Sequence, residues 1–306
     1  MQDQKPDANT IEAKFQEQNS RATLGKGLRI ACPILLILII LSFRFDDILN
    51  GMWLIKLVAI VLCLVGSFVG KKMRQKALLA MKDTVAAPVT GTLLNEVLDN
   101  AVYEPNKHLP VEMLRIDMGI PMGYNTVYGS DYVQGTYQGI PLQFSDIKMT
   151  SRYTVHEEGG GTHEAEETRF QGLWVIFRFN KQMSADVIVS ERAKLLAKLK
   201  KADVKMENDA FNKKFCVRTE NPEEAFYVLT PHMMEYLMEL DEHAHGDTYI
   251  HFQKDGTVQL AINTGKDFFE PNLKFSSVEQ YNEHFRQQLR YITGLIDAMR
   301  LIEPRE

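Results

Sequence analysis

LRIACPILLILIILSFRF, residues 28–45, and MWLIKLVAIVLCLVGSFV, residues 52–69, are the two stretches that decide the fold. In the first, only Arg29, Ser42 and Arg44 are polar, and Ile34 to Leu41 is unbroken hydrocarbon. The second is broken by Lys56, Ser67 and small residues. At 1.5 Å rise per residue, roughly 18 to 20 residues cross about 30 Å of hydrocarbon, so each stretch is long enough to span a bilayer. A helix apolar all round must be buried, and a chain of 306 residues has little protein with which to bury two adjacent ones. The expectation is a transmembrane helical hairpin over 28–70, against the alternative of a soluble core hairpin. A cleaved signal peptide does not fit. The preceding segment is long and mixed in charge, no small-x-small site follows, and a second span comes at once.

Only Arg44 to Gly51 join the two spans, so the helices run antiparallel. Arg21, Lys26 and Arg29 precede or open the first span, and Lys71, Lys72, Arg74 and Lys76 follow the second. The connecting loop carries Arg44 beside Asp46 and Asp47. The positive-inside rule therefore places both termini in the cytoplasm, with the chain a multi-pass protein of the cell inner membrane. Lys56 is expected to snorkel outward, and Pro33 to sit near the start of its helix, where a missing N–H costs least. Cys32, Cys63 and Cys216 make no disulfide framework, in keeping with a reducing cytosol. Without the four cations after the second span, the formal charge of −5 falls to −9. That excludes a general nucleic-acid partner, which needs positive charge to replace phosphate counterions.

Residues 1–27 are polar without a clear period and read as a mobile cytosolic tail. Residues 71–306 read as one cytosolic domain. Lys71 to Val85 continues the second helix until Pro88, and shorter helices are expected at Thr92–Asn100 and Val111–Met118. From Asp131 the apolar period shortens to two. Strands are expected at 132–137, 140–144, 147–155, 169–179 and 185–189, with His156 to Thr168 a glycine-rich, acidic connection. Glu191 to Lys201 reads as a basic helix, followed by a strand near 214–218. Asn221-Pro222 and Thr230-Pro231 each place a capping side chain before a proline that opens a helix. Strands 247–252 and 258–262 pair across Asp255-Gly256. Ser276-x-x-Glu279 is a capping box for a closing helix with Tyr281, Phe285, Leu289, Ile292, Ile296 and Met299 on one face. The fold class is α+β: a hairpin, then a mainly antiparallel sheet with flanking helices.

Chemistry-bearing residues are few. His156 and His163 among the glutamates of 156–168, and His243 with His245, have the ligand types for a divalent metal. Three consecutive glycines leave the first group without a fixed second shell, and Gly246 makes the second a helix end. No cofactor is expected. Gly159-Gly160-Gly161 lacks the lysine, serine and helix of a phosphate loop. Arg192, Lys194, Lys198 and Lys201, with Leu195, Leu196 and Leu199 between them, form a basic amphipathic stretch suited either to an anionic membrane surface or to an ordinary helix with lysines in water.

Tyr128-Gly129-Ser130-Asp131-x-x-x-Gly135-x-x-x-Gly139, Phe144-Ser145-Asp146, Phe170-x-Gly172 with Lys181 downstream, Phe215-x-Val217, Leu229-Thr230-Pro231 and Phe268-Phe269-Glu270 follow the two spans in that order. In this the chain resembles an uncharacterised bacterial family of two-span membrane proteins, a domain of unknown function sometimes labelled galanin-like. The resemblance implies a membrane-bound protein with a cytosolic domain and brings no activity. The expected function is a membrane-anchored interaction or membrane-surface-binding protein. Its expected partners are the lipid bilayer and a protein partner or further copies of itself. Asp131, Gly135, Gly139, Phe170, Gly172 and Lys181 are its candidate binding residues. The alternative is a metal-dependent enzyme using loop 156–168.

Overall fold

A computed structural model describes residues 8–42, 52–81, 87–115, 118, 120, 123–156, 161–179, 182–191, 204–244, 246–269, 275 and 277–300. The chain forms two compact units, one of residues 1–90 with 270–284 and one of 91–269 with 285–306. The first unit thus ends some way past the last apolar residue of the second span, and it takes in 270–284, which includes the start of the closing helix.

In the first unit, helices α1 (Ala8–Leu41) and α2 (Met52–Met81) form an antiparallel pair. Both are long and apolar enough to cross a membrane. The tail expected over 1–27 is helix from Ala8 onward. The buried and half-buried positions Ile11, Phe15, Gln18, Ala22, Gly25, Leu28 and Cys32 recur at spacings of three and four. Gln18, Ala22 and Gly25 are polar or small, which hides the seam from an apolar count. Pro33 consequently falls deep inside α1 rather than near its start.

Glycine makes the close approach. A Cβ on Gly25 would lie 2.7 Å from the Gly70 carbonyl oxygen, and one on Gly66 would lie 2.9 Å from the Cys32 sulfur. Gly66-x-x-x-Gly70 is the small-residue spacing that lets helix backbones touch. Lys56 reaches toward the connecting-loop end of the pair, where its ammonium donates to the Ser42 carbonyl, 2.6 Å away, past the C-terminus of α1. Phe15 and Met81 close the other end of the pair, with Ile11, Phe275 and Val278 against them.

Helix α3 (Ala87–Val97) has Pro88 in its first turn, where no N–H is needed. The second unit is an eight-stranded antiparallel sheet in the order β1-β2-β3-β4-β8-β7-β5-β6. Its strands are β1 (Asp99–Glu104), β2 (Thr126–Tyr137), β3 (Ile140–His156), β4 (Thr162–Arg178), β5 (Val187–Glu191), β6 (Phe215–Thr219), β7 (Asp247–Phe252) and β8 (Thr257–Asn263). Between them lie α4 (Asp209–Lys214), α5 (Pro222–Val228) and α6 (Pro231–Ala244), and α7 (Val278–Arg300) closes the chain. The α+β class and the hairpin-linked strands are as the sequence indicates. Strand β1, short and at the edge, replaces the end of the helix expected at 92–100. Within the helix expected at 111–118, Val111–Met113 form one turn of 3-10 helix and Leu114 is extended, while 116–117 lie outside the described residues. Leu109, Leu114, Met118 and Ile120 pack as a cover over Ile147, Met149, Phe170 and Trp174. Gln259 pins that cover. Its Oε1 accepts the Arg115 amide and the Trp174 indole N–H, and its Nε2 donates to the Met113 carbonyl.

Caps at Asn221 and Thr230 form as read, each accepting a first-turn amide. For α7 the cap is Ser277, which accepts from Gln280; Ser276 lies outside the described residues. The face of α7 named from the sequence is buried throughout. The connection expected at 156–168 is largely strand. Ser151–His156 pair with Thr162–Glu167 as a two-stranded ribbon beyond the reach of β2 and β8.

Candidate functional site

Residues far apart in sequence meet at one point of the second unit. β2 is interrupted between Ser130 and Val133, where its register to β3 shifts. There the amides of Asp131 and Tyr132 turn away to the carbonyls of Pro105 and Lys107. Asp131 takes up the bulge at φ +58°, a left-handed conformation that aspartate tolerates better than most residues. Its buried carboxylate accepts from the Tyr103 hydroxyl at 2.5 Å and the Ser130 hydroxyl at 2.7 Å. Gly129, beside it, allows β2 and β3 to close: a Cβ would lie 2.3 Å from the Asp146 carbonyl oxygen.

Asp146 projects from β3 and accepts the amides of Phe268 and Phe269 at 2.8 and 3.0 Å, one on each oxygen. Phe269 is thereby seated between Phe144 and Phe285, with ring centroids 5.6 and 5.4 Å away, and Gln288 donates to the Phe268 carbonyl. Asp267 completes the cluster. One ligand-type oxygen from each of Asp131, Asp146 and Asp267 lies within 4.8 Å of the others, and the first two residues are buried. Burial and the neighbouring Asp267 hold the Asp146 carboxyl well above the usual carboxylate range, against the pull of the two amides. Three close oxygens could serve a hard cation. The acceptors here, however, already hold amides and hydroxyls of the fold, so the cluster acts as a lock on the Phe268-Phe269 turn.

The structure disperses most of the other candidates. Gly135 faces Leu98 at the β1 side, and Gly139 with Gln138 forms the β2–β3 turn, both at positive φ. Phe170 is buried edge-on to Trp174, and Gly172 sits where a Cβ would lie 2.0 Å from the Ile262 carbonyl oxygen. Lys181, His245 and the basic stretch with Arg192, Lys194, Lys198 and Lys201 lie outside the described residues. On the ribbon, His163 pairs with Val155 and Glu164 with Thr154, so the two project to opposite faces. Glu166 is bound to Arg152 and Lys148, and Glu167 to Arg169. His156 opens the ribbon's far end. His243 bonds the Glu239 carbonyl and stacks near Tyr291. Gly246 is not left-handed; what excludes a side chain there is the Asn263 carbonyl, 2.5 Å from a Cβ.

Sequence reading singled out Asp131 but missed its partners. Asp146 and Asp267 stand in or beside the quoted motifs, and no spacing rule joins positions on separate strands and loops.

A second acidic group gathers where β5, α6 and β7 end or begin. Glu191 lies near Asp241 and Asp247, and the buried Asp241 is paired with Lys214. Burial first, then these two aspartates, push the Glu191 carboxyl up to about 7. A carboxyl raised on folding is protonated in the folded chain at pH values where the unfolded chain has already lost its proton. Stability therefore falls as pH rises from about 4.5 to about 7. Glu191→Gln should abolish that part of the slope, on the order of 1 kcal/mol for a half-exposed, solvent-screened group. Denaturant titrations between pH 5 and 8 would show it; an unchanged slope in the variant would refute the assignment.

Residues 168–301 match the model of a family described as a protein of unknown function, DUF3137. The match runs from the base of the ribbon through α7. It takes in Phe170, Gly172, Asp267 and Phe268-Phe269, while the hairpin and the Asp131 and Asp146 segments precede it. No curated protein matches the chain. Among solved structures, the crystal structure of the mycobacterial trehalose monomycolate transport factor A, TtfA, aligns with a TM-score of 0.38 at 11% identity. The alignment covers 71% of this chain and 96% of that one.

Proposed function

We propose that the chain is an inner-membrane protein whose hairpin crosses the bilayer twice and whose α+β domain serves in the cytosol as an interaction module. The observation that carries this reading is what the hairpin leaves outside. In the most apolar windows of α1 and α2, mean hydropathy is 2.2 and 2.3, yet only 11% and 6% of those residues are buried. The pair buries Ala22, Gly25 and Cys32 against Gly66, Gly70 and Ala77, and turns Ile34, Leu38, Leu54, Val58 and Leu62 outward. An exposed belt of this kind is costly in water and costs nothing in lipid. The distribution of lysine and arginine favours cytoplasmic termini.

An interaction role is favoured over catalysis by the chemistry of the domain. Among the described residues, an open cleft of about 330 Å³ is lined by Gln134, Gly135, Gln143, Ile176, Arg178 and Thr257 among others, with Arg178 its one charged group. It lacks the paired acid and base that hydrolytic chemistry needs. Mild detergent extraction, then light scattering and mass spectrometry, tests the reading. The expected result is a discrete complex with a stoichiometric protein subunit, or a homo-oligomer. A monomer carrying stoichiometric divalent metal by elemental analysis would overturn it in favour of the metal-dependent enzyme.

A further inference from the structure

The hairpin seam brings two groups of cations, far apart in sequence, to one level. Lys26 and Arg29 stand on α1, and Lys71, Lys72, Arg74 and Lys76 on α2. Because the backbones touch where Gly25 crosses Gly70, all six Cα atoms lie within about 15 Å along the pair. Side-chain direction narrows the spread. Helical side chains lean toward their own N-terminus, so Arg29 reaches away from the apolar belt while the α2 cations reach toward it. Lys72 does so visibly, its ammonium 4.8 Å from the Phe68 ring one turn nearer the belt.

No carboxylate occurs between Gln18 and Leu41 or between Met52 and Met81. Five of the six residues are exposed, and the half-buried Arg74 has a buried Nε without an acceptor among the described residues. Immediately beyond the collar, on its other side, come the outward-facing Ile30, Ile34, Val65 and Val69. A phosphate with two acyl chains matches both halves of this surface, which a free anion does not.

We propose that this collar binds the headgroups of anionic phospholipids, holding a shell of such lipids around the cytoplasmic end of the hairpin. The proposal rests on the membrane-spanning reading above. The test is native mass spectrometry of the full chain in detergent, titrated with phosphatidylglycerol or with phosphatidylcholine. Phosphatidylglycerol should bind about tenfold or more tightly. Combined Lys26→Gln, Lys71→Gln and Lys72→Gln should lower that affinity roughly 10- to 100-fold, while the three Lys→Arg changes preserve it.

Neutralisation can also disturb insertion, so the unaltered chain supplies a second measurement: its preference should collapse as salt is raised. Equal binding of the two lipids by a chain that resists alkaline extraction from membranes would overturn the collar. Competition by inorganic phosphate at equal concentration would also do so, by making it a simple anion site. Release of the chain by alkali would instead overturn the membrane reading.

Discussion

Trp174→Ala is expected to destabilise the α+β domain by about 3–5 kcal/mol, a large share of the roughly 5–15 kcal/mol that holds a typical domain together. Trp174 is fully buried in the middle of the sheet, edge-on to Phe170 with ring centroids 5.5 Å apart. Its loss leaves a cavity beneath Leu109, Leu114, Met118 and Ile120, which pack over it in the same cluster. It also takes one donor from Gln259, whose remaining bonds to Arg115 and Met113 hold that cover in place. Urea unfolding followed by far-ultraviolet circular dichroism measures the change. Trp174→Phe, which keeps most of the ring volume and gives up only the indole N–H, should lose about 1–2 kcal/mol. A loss below about 1 kcal/mol for the alanine variant would mean that the cover is not seated as described.

Gly172→Val should be at least as damaging, and it separates two readings of the same residue. As a contact residue, Gly172 could be changed without harm to the fold. In the structure its missing side chain is what allows β4 to approach β8: a Cβ would lie 2.0 Å from the Ile262 carbonyl oxygen and 3.0 Å from the Thr264 amide nitrogen. Both neighbours are backbone, so no rotamer change relieves the clash, and the central strand pair must separate. Overpacking alone costs about 1–3 kcal/mol, and broken ladder bonds add to it. Loss of soluble, cooperatively folding domain is the expected outcome. A variant of normal stability that has lost only its partner would restore Gly172 to the binding surface.

Much of the architecture was legible because it is written in local signals. The two apolar runs, the proline-marked caps at Asn221 and Thr230, the Asp255-Gly256 turn and the apolar face of α7 each declare themselves within a few residues. The rest was hidden where tertiary packing decides. The seam of α1 before residue 28 passes through Gln18, Ala22 and Gly25, which break the hydrophobic period between Phe15 and Leu28. Leu114 is spaced with Met118 as in a helix, yet its backbone is extended, since its partners are on the sheet. For the candidate site, Asp131 stood out in the Tyr128–Asp131 motif. Its convergence with Asp146 and Asp267 depends on the β2 bulge and the turn after β8, and no sequence interval encodes that meeting. The glycines quoted with it have, in the structure, a common physical use: Gly129 and Gly172 permit close backbone approach, and Gly139 supplies a left-handed turn.

Protease treatment of sealed vesicles from cells carrying the chain with a tag at each end tests the central claim most directly. In inverted vesicles both tags should be digested, leaving an alkali-resistant fragment that contains residues 28–69; in right-side-out vesicles both tags should survive. Protection of either tag in inverted vesicles, or release of the untreated chain by alkaline carbonate, would contradict a hairpin that crosses the membrane twice and holds its domain in the cytosol.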